Sequence, residues 1–322
     1  MGLNAEDNFN LLSIIIDLNE LYWGNLEILS KNNKDNFLLN DFVLTIISFS
    51  NAYLINNPLN HLNIIATSTS KTKILFNSLH GIKFTNSSIE LTNTYTNFQY
   101  LHKLKDITIS NVKEMFTNVK LNSTHGTLIA APVLQALSIM NKFEKQISHI
   151  GQKSMNRILI IKTEGDAPNQ YIDLMNAIFA AQKMNVMIDG CILGKDSDII
   201  HQATFMTDGK YFKLHNSDDN VKNVFNATQN GDNDIIYNYS LLEYLFWLYL
   251  PNNNEFRSNF ILPREENIDF RAICFCHKDN RKHLDIGFVC SSCLAVFCSF
   301  TPICTMCNVH FKIPNSCLMI II

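Results

Sequence analysis

The amino-acid sequence predicts an α/β fold: a doubly wound, mostly parallel sheet followed by a small cysteine-rich module. Three observations predict it. Near-continuous apolar runs, such as residues 11–16 and 157–161, alternate with amphipathic stretches, the pattern of strands covered on both faces. Seven of the nine cysteines crowd between Cys274 and Cys307. The chain has 322 residues, 47% of them hydrophobic and 17% charged. That length suits about two domains and is ample for a core, which excludes global disorder.

In chain order, residues 11–17 form a short β-branched run ending in an acid, a strand. Residues 39–54 read as a helix, and 61–66 and 73–76 as two strands close enough for a hairpin. Residues 81–106 are poorly patterned and read as an insertion. Helical spacing follows over 107–121 and 128–146, then a strand over 157–162 whose four central residues are all apolar. A helix over 171–184 places Leu174, Ile178 and Ala181 on one face. Strands at 186–193 and 211–214 flank a helix at 198–206, and a last helix at 239–250 ends before Pro251. The Asn-rich stretch 216–238 reads as a surface loop. The resulting division is a sheet domain over 8–251, a linker over 252–269, a cysteine module over 270–313 and a tail over 314–322.

Composition narrows function. A net charge of −3 argues against nucleic-acid binding through bulk basicity. The polar, acidic N-terminus lacks the pattern of a signal peptide, and Glu6 spoils a Gly2 myristoylation motif. No apolar run reaches the roughly 18 residues that span a bilayer, so an intracellular chain without a membrane partner is expected. In that setting the cysteines point away from disulfides, and the sequons at Asn86, Asn122, Asn226 and Asn238 are chance matches in an Asn-rich chain. No Gly-rich dinucleotide or Walker motif and no nucleophile elbow occurs. His125, His149, His201 and His215 follow no ligand spacing. No catalytic residues are assigned.

In a doubly wound sheet, ligands sit at the carboxyl ends of the strands. Asp17 ends the first strand, with Asn19 two residues on; Thr127 precedes a helix and Asp166 follows the strand at 157–162. This order resembles the von Willebrand factor A domain, whose D-x-S-x-S loop with a later Thr and Asp builds a metal-ion-dependent adhesion site. Here Asn19 and Leu21 replace the two serines, so the site is degenerate. Losing a hydroxyl at Leu21 removes one of the about six oxygens a hard cation needs, which disfavours Mg²⁺. Satisfaction of Asp17 and Asp166 by loop amides and helix N-termini is the favoured alternative.

Cys290 and Cys293 form one C-x-x-C knuckle, and Cys304 and Cys307 a second. A two-residue gap lets both thiolates face one metal, and two knuckles complete a tetrahedral Cys₄ zinc site. Cys274, Cys276 and Cys298, with His277 or alternatively His283, form a second zinc site, in a crossed or sequential arrangement. The competing reading has Cys274 and Cys276 alternating in a strand and packing as small apolar residues. Cys191 and Cys317 have no matching partners in this scheme. A module this small needs its metal to fold.

Taken together, the stretches Asp17-Leu18-Asn19, Tyr22-Trp23-Gly24, residues 176–183, Ile261-Leu262-Pro263, residues 270–277, residues 286–290 and Thr301-Pro302-Ile303-Cys304 resemble the Tfb-four family, subunit 3 of general transcription factor IIH. The resemblance covers nearly the whole chain and is most specific in the C₄ zinc finger. The family's basic tail is replaced here by isoleucines. It implies a nuclear, non-catalytic scaffold subunit of TFIIH, acting in RNA polymerase II transcription and nucleotide excision repair. It also implies a partner, the zinc-containing C-terminal domain of general transcription factor IIH subunit 2. Two other readings compete, a RING-like ubiquitin ligase and a metal-dependent ligand-binding A domain. A directly DNA-binding zinc module is disfavoured by charge.

Overall fold

A computed structural model describes residues 9–32, 39–79, 82–85, 88–91, 97–117, 126–149, 152–166, 170–214, 241–251, 272–274, 276, 283–292 and 295–311. The first half runs β1 (Phe9–Asp17), α1 (Glu20–Asn32), α2 (Leu39–Asn56), β2 (Asn60–Thr67), β3 (Thr72–Asn77), β4 (Ile82–Thr85), β5 (Ser88–Leu91) and α3 (Asn97–Phe116). It continues with α4 (Ala130–Ser148), β6 (Ser154–Lys162), α5 (Tyr171–Lys183), β7 (Met187–Ile192), α6 (Asp198–Met206) and β8 (Tyr211–Lys213). A last helical segment occupies residues 241–249, with Leu245–Tyr249 wound as a π-helix. The cysteine region adds β9 (Ala272–Ile273), β10 (His283–Leu284), β11 (Phe288–Val289) and β12 (Val296–Phe297).

Six strands form one sheet in the order β3-β2-β1-β6-β7-β8. All neighbours are parallel except β2 and β3, which form the expected hairpin. The central strand β1 is buried at every residue because β2 and β6 flank it and helices cover both faces. Alternation sorts its side chains: Leu12, Ile14 and Ile16 enter one core, Phe9, Leu11 and Ile15 the other. The first core is closed by α2, α3 and the last helix through Phe42, Phe49, Tyr53, Leu104 and Tyr249. The second is closed by α4, α5 and α6 through Val133, Met140, Phe143, Ile178 and Ile200. His61 lies between Phe9 and Phe143, at ring-centroid distances of 6.1 and 5.3 Å, and burial pulls its pKa down to about 4.

Three features depart from the sequence expectation. Helix α1 had not been expected, because Gly24 interrupts its pattern; Asn19 nucleates it by accepting from the Leu21 and Tyr22 amides at 2.9 and 3.2 Å. Helix α3 begins ten residues before the expected start at Ile107, carried by Leu104, Thr108, Val112 and Met115, which repeat every three or four residues and are all buried. The supposed insertion at 81–106 thus holds the start of α3 and the antiparallel pair β4–β5. The expected loop 216–238, linker 252–269 and tail 314–322 lie outside the described residues.

A buried clamp fixes the last helix. The Arg157 guanidinium donates to the Tyr249 carbonyl and, at 2.6 Å, to the Pro251 carbonyl, and its Nε stands 3.5 Å from the Asp189 carboxylate. Tyr249 in turn donates its hydroxyl to the Gly190 carbonyl at 2.6 Å. Among the described residues no helix is long and apolar enough to cross a membrane.

Candidate functional site: the sheet's carboxyl edge and two thiol clusters

Because β1, β2 and β6 are parallel, their carboxyl ends share one edge, and Asp17, Thr67 and Lys162 end them. Asp17 is fully buried. One carboxylate oxygen accepts the Asn19 amide at 3.1 Å. The other accepts the Thr163 amide at 3.0 Å, the Thr163 hydroxyl at 2.8 Å and the Glu164 amide at 3.3 Å. Burial pushes this carboxyl up, while the Thr163, Thr127 and Glu164 donors pull it back. Asn19 caps α1 with its oxygen and donates its amide nitrogen to the Thr127 hydroxyl at 3.1 Å. An N–H donor therefore faces Thr127, where a hard cation requires oxygen.

Asp17, Asn19 and Thr127 are thus brought together. Asp166 turns elsewhere: it pairs with the buried Lys162 ammonium, accepts the Ser197 hydroxyl and lies 3.4 Å from the Ile199 amide at the start of α6. The residues that meet Asp17 from β6 are Thr163 and Glu164, immediately past the strand end. Their place in the sequence was a usable signal, since the first residues after a parallel strand line this edge. The approach is close. Thr163 accepts the Lys195 amide at 3.3 Å, and a Cβ on Gly194 would lie 1.9 Å from the Thr163 carbonyl oxygen.

In the cysteine region, the sulfurs of Cys290, Cys304 and Cys307 lie within 4.8 Å of one another, and so do those of Cys274, Cys276 and Cys298. Cys293, His277 and Cys317 lie outside the described residues, as does the side chain of His283. The clusters interleave along the chain in a crossed arrangement. The hairpin β11–β12, paired Phe288 with Phe297 and Val289 with Val296, leads into Cys290 at one end and out to Cys298 at the other. The first cluster is built into a small core: Cys290 and Cys304 are buried with Ala295 and Phe297, against Met306 and Phe311. Turns hold it, Cys290 N–H to the Ala295 carbonyl and Cys304 N–H to the Val309 carbonyl, both at 2.9 Å.

The donor set suits zinc. In a tetrahedral thiolate site with Zn–S of about 2.3 Å, sulfurs stand about 3.8 Å apart. Cys290 and Cys307 are 3.7 Å apart. Cys276 lies 3.3 Å from Cys298 and 2.7 Å from Cys274, so those thiols would open slightly around an ion. Cys191 is buried in the sheet core, where burial pushes its thiol up to about 12. It is a packing residue.

Comparison with known proteins gives consistent matches. The family model for transcription factor Tfb4 matches residues 9–308. The General transcription and DNA repair factor IIH subunit tfb4 of Schizosaccharomyces pombe is 30% identical over 310 residues, covering 96% of this chain and 91% of that protein. The Arabidopsis thaliana General transcription and DNA repair factor IIH subunit TFB4 is 26% identical, covering 95% of this chain and 90% of that one. Among solved structures, the TFIIH p34 N-terminal domain superposes with a TM-score of 0.57 at 23% identity, covering 76% of this chain and 99% of that one, a likeness of fold.

Proposed function

We propose, on the premise that this chain belongs to the Tfb4 family of transcription factors, that it is a subunit of TFIIH in transcription and DNA repair. In this reading it is a nuclear, non-catalytic scaffold that works by contact with other TFIIH subunits, chiefly the zinc-containing C-terminal domain of general transcription factor IIH subunit 2. The observation that carries the reading is the family match over residues 9–308, which takes in both the sheet and the cysteine region. The carboxyl edge of the sheet supports it: Asp17 is satisfied by donors from Asn19, Thr163 and Glu164, with Thr127 beside them, so contacts there need no bridging cation.

The cysteine region complements this role. Cys290, Cys304 and Cys307, with Cys293, hold one zinc ion, and Cys274, Cys276 and Cys298, with His277, hold a second. Zinc bound there supplies a rigid cross-link between segments too short to build a core of their own. The residues around it do the rest: the β11–β12 hairpin sets the spacing of Cys290 and Cys298, and Phe297 and Phe311 exclude water.

Co-expression with the zinc domain of subunit 2 tests the reading. A pair that co-elutes on a sizing column, with magnesium omitted, is the expected result. A folded, zinc-loaded chain that forms no pair overturns the assigned partner. The crossed thiol order also favours one competitor, a RING-like ubiquitin ligase. Discharge of ubiquitin from a charged conjugating enzyme, stimulated by this chain, would establish it; no stimulation is expected.

A further inference from the structure

We propose that the two thiol clusters hold their ions unequally. The Cys290/Cys304/Cys307 cluster is a permanent structural site. The Cys274/Cys276/Cys298 cluster is an exchangeable site that gives up its ion to a peroxide-class oxidant, with Cys276 the first sulfur attacked. This deepens the metal-binding reading of the cysteine region and rests on it.

The difference lies in what covers each sulfur. In the first cluster Cys290 and Cys304 are both fully buried, each donates its amide within a closed turn, and Ala295 and Phe297 pack beside them. Cys307 is half-buried, like Cys298, but the Cys290 and Cys304 sulfurs are shielded from oxidant and competing chelator. In the second cluster Cys274 is covered but Cys298 is half-buried and Cys276 is exposed. Sulfur oxidation follows thiolate character and access, and a metal-held thiolate that faces water keeps both. Cys276 also has a resolving partner within reach, Cys298 at 3.3 Å. Cys274 is nearer, at 2.7 Å, but one intervening residue would close a small ring that the geometry of a disulfide resists.

The chemistry balances. The Cys276 thiolate attacks one oxygen of hydrogen peroxide, the O–O bond breaks, and a sulfenic acid forms as hydroxide leaves and is protonated. The Cys298 sulfur then attacks the sulfenic sulfur, the S–S bond forms, and the sulfenic oxygen departs as water. The two thiolates lose two electrons, two protons are taken up from solvent, and peroxide becomes two waters. With two of its thiolate donors consumed, the site releases its ion. A dithiol reductant reverses the bond. The β11–β12 ladder and the buried cluster stay in place, so the segment around β9 and β10 loosens while the hairpin holds.

The full-length chain, purified reduced and zinc-loaded, is titrated with hydrogen peroxide beside a chromophoric zinc chelator. Of two zinc ions, the first is expected to leave at least ~10-fold faster than the second, as oxidation tracks exposure. Peptide mapping should then show a Cys276–Cys298 disulfide, and dithiothreitol with added zinc should restore the metal count. Cys276→Ser should lose the fast phase and keep the slow one. Cys298→Ser should stop at a Cys276 sulfenic acid that a cyclic 1,3-dione traps, which separates the chemistry from any loss of fold. Loss of both ions in one phase, a fast phase surviving Cys276→Ser, or a single ion with all thiols reduced would overturn the proposal. A reduced chain that binds no metal would instead strike the metal reading itself.

Discussion

The sheet and the cysteine region solve the same problem, ordering a chain, by different means. In the sheet, β1 alone contributes Leu11, Leu12, Ile14, Ile15 and Ile16 to two cores, each closed by long helices. In the cysteine region the described buried cluster is Cys290, Ala295, Phe297 and Cys304, bordered by a few partly buried side chains. Each strand there is two residues long. Burying a large apolar side chain contributes about 1.5–3 kcal/mol, so the first region is held by apolar burial and the second is not. Among the described residues its core is small, and the two thiol clusters that could hold a metal ion lie in and beside it.

The largest expected effect breaks that contrast open. Removal of zinc, or Cys290→Ser, should erase amide protection across residues 288–297 and leave β1, β2 and β6 protected in hydrogen exchange. Structural zinc supplies about 10–16 kcal/mol of apparent folding free energy in comparable small modules. Equal loss of protection in the sheet would show that the two regions fold as one.

Next comes the clamp that anchors the end of the sheet region. Arg157→Met should destabilise by about 3–5 kcal/mol, because it removes the cation beside the buried Asp189 carboxylate, leaving it the Lys210 amide, and the donors to the Tyr249 and Pro251 carbonyls. Adding Asp189→Asn should recover part of this in denaturant unfolding. A smaller effect is expected at the carboxyl edge: Gly194→Ala forces a methyl onto the Thr163 carbonyl and should cost about 1–3 kcal/mol. Its signature is lost protection of the Thr163 amide, which Asp17 accepts.

The titration of one buried histidine sharpens the same comparison from the side of the sheet. His61 has its pKa lowered to about 4 by burial against the ordinary 6.5, so the unfolded chain binds the extra proton first. Its contribution to stability is complete above about pH 6.5 and is lost as pH falls toward 4. His61→Phe should flatten the melting temperature across that window. The smallest effect is expected at the surface pair Lys73–Glu114, where Lys73→Ala should leave the melting temperature unmoved within error.

Much of this was legible in residue patterns. The apolar runs of β1 and β6 read as buried strands because only a parallel sheet covered on both faces accommodates them. The order Asp17, Asn19, Thr127 pointed to one edge, and the spacing of the cysteines pointed to metal. Helix α1 was not legible, because its Gly24 obscures the period and its start depends on how the Asn19 amide is spent. The first half of α3 was hidden for a similar reason: its stripe is sparse, and only contact with the core shows that Leu104 belongs to it.

What the sequence by itself determined is most of the strands and helices of the sheet and the grouping of the cysteines: periodic apolar residues select strand or helix locally, and C-x-x-C spacing aims two thiolates at one point. What only the tertiary structure decided is the pairing of distant groups. Asp166 faces Lys162 and Ser197 while Thr163 and Glu164 face Asp17, and Cys298 joins Cys274 and Cys276 across the crossed hairpin. Apart from Lys162 and Asp166, one helical turn apart in number, these partners are separated by tens of residues or divided among neighbours one step apart. Sequence spacing is blind to both, because the direction of a side chain at a strand end is set by the backbone packed against it.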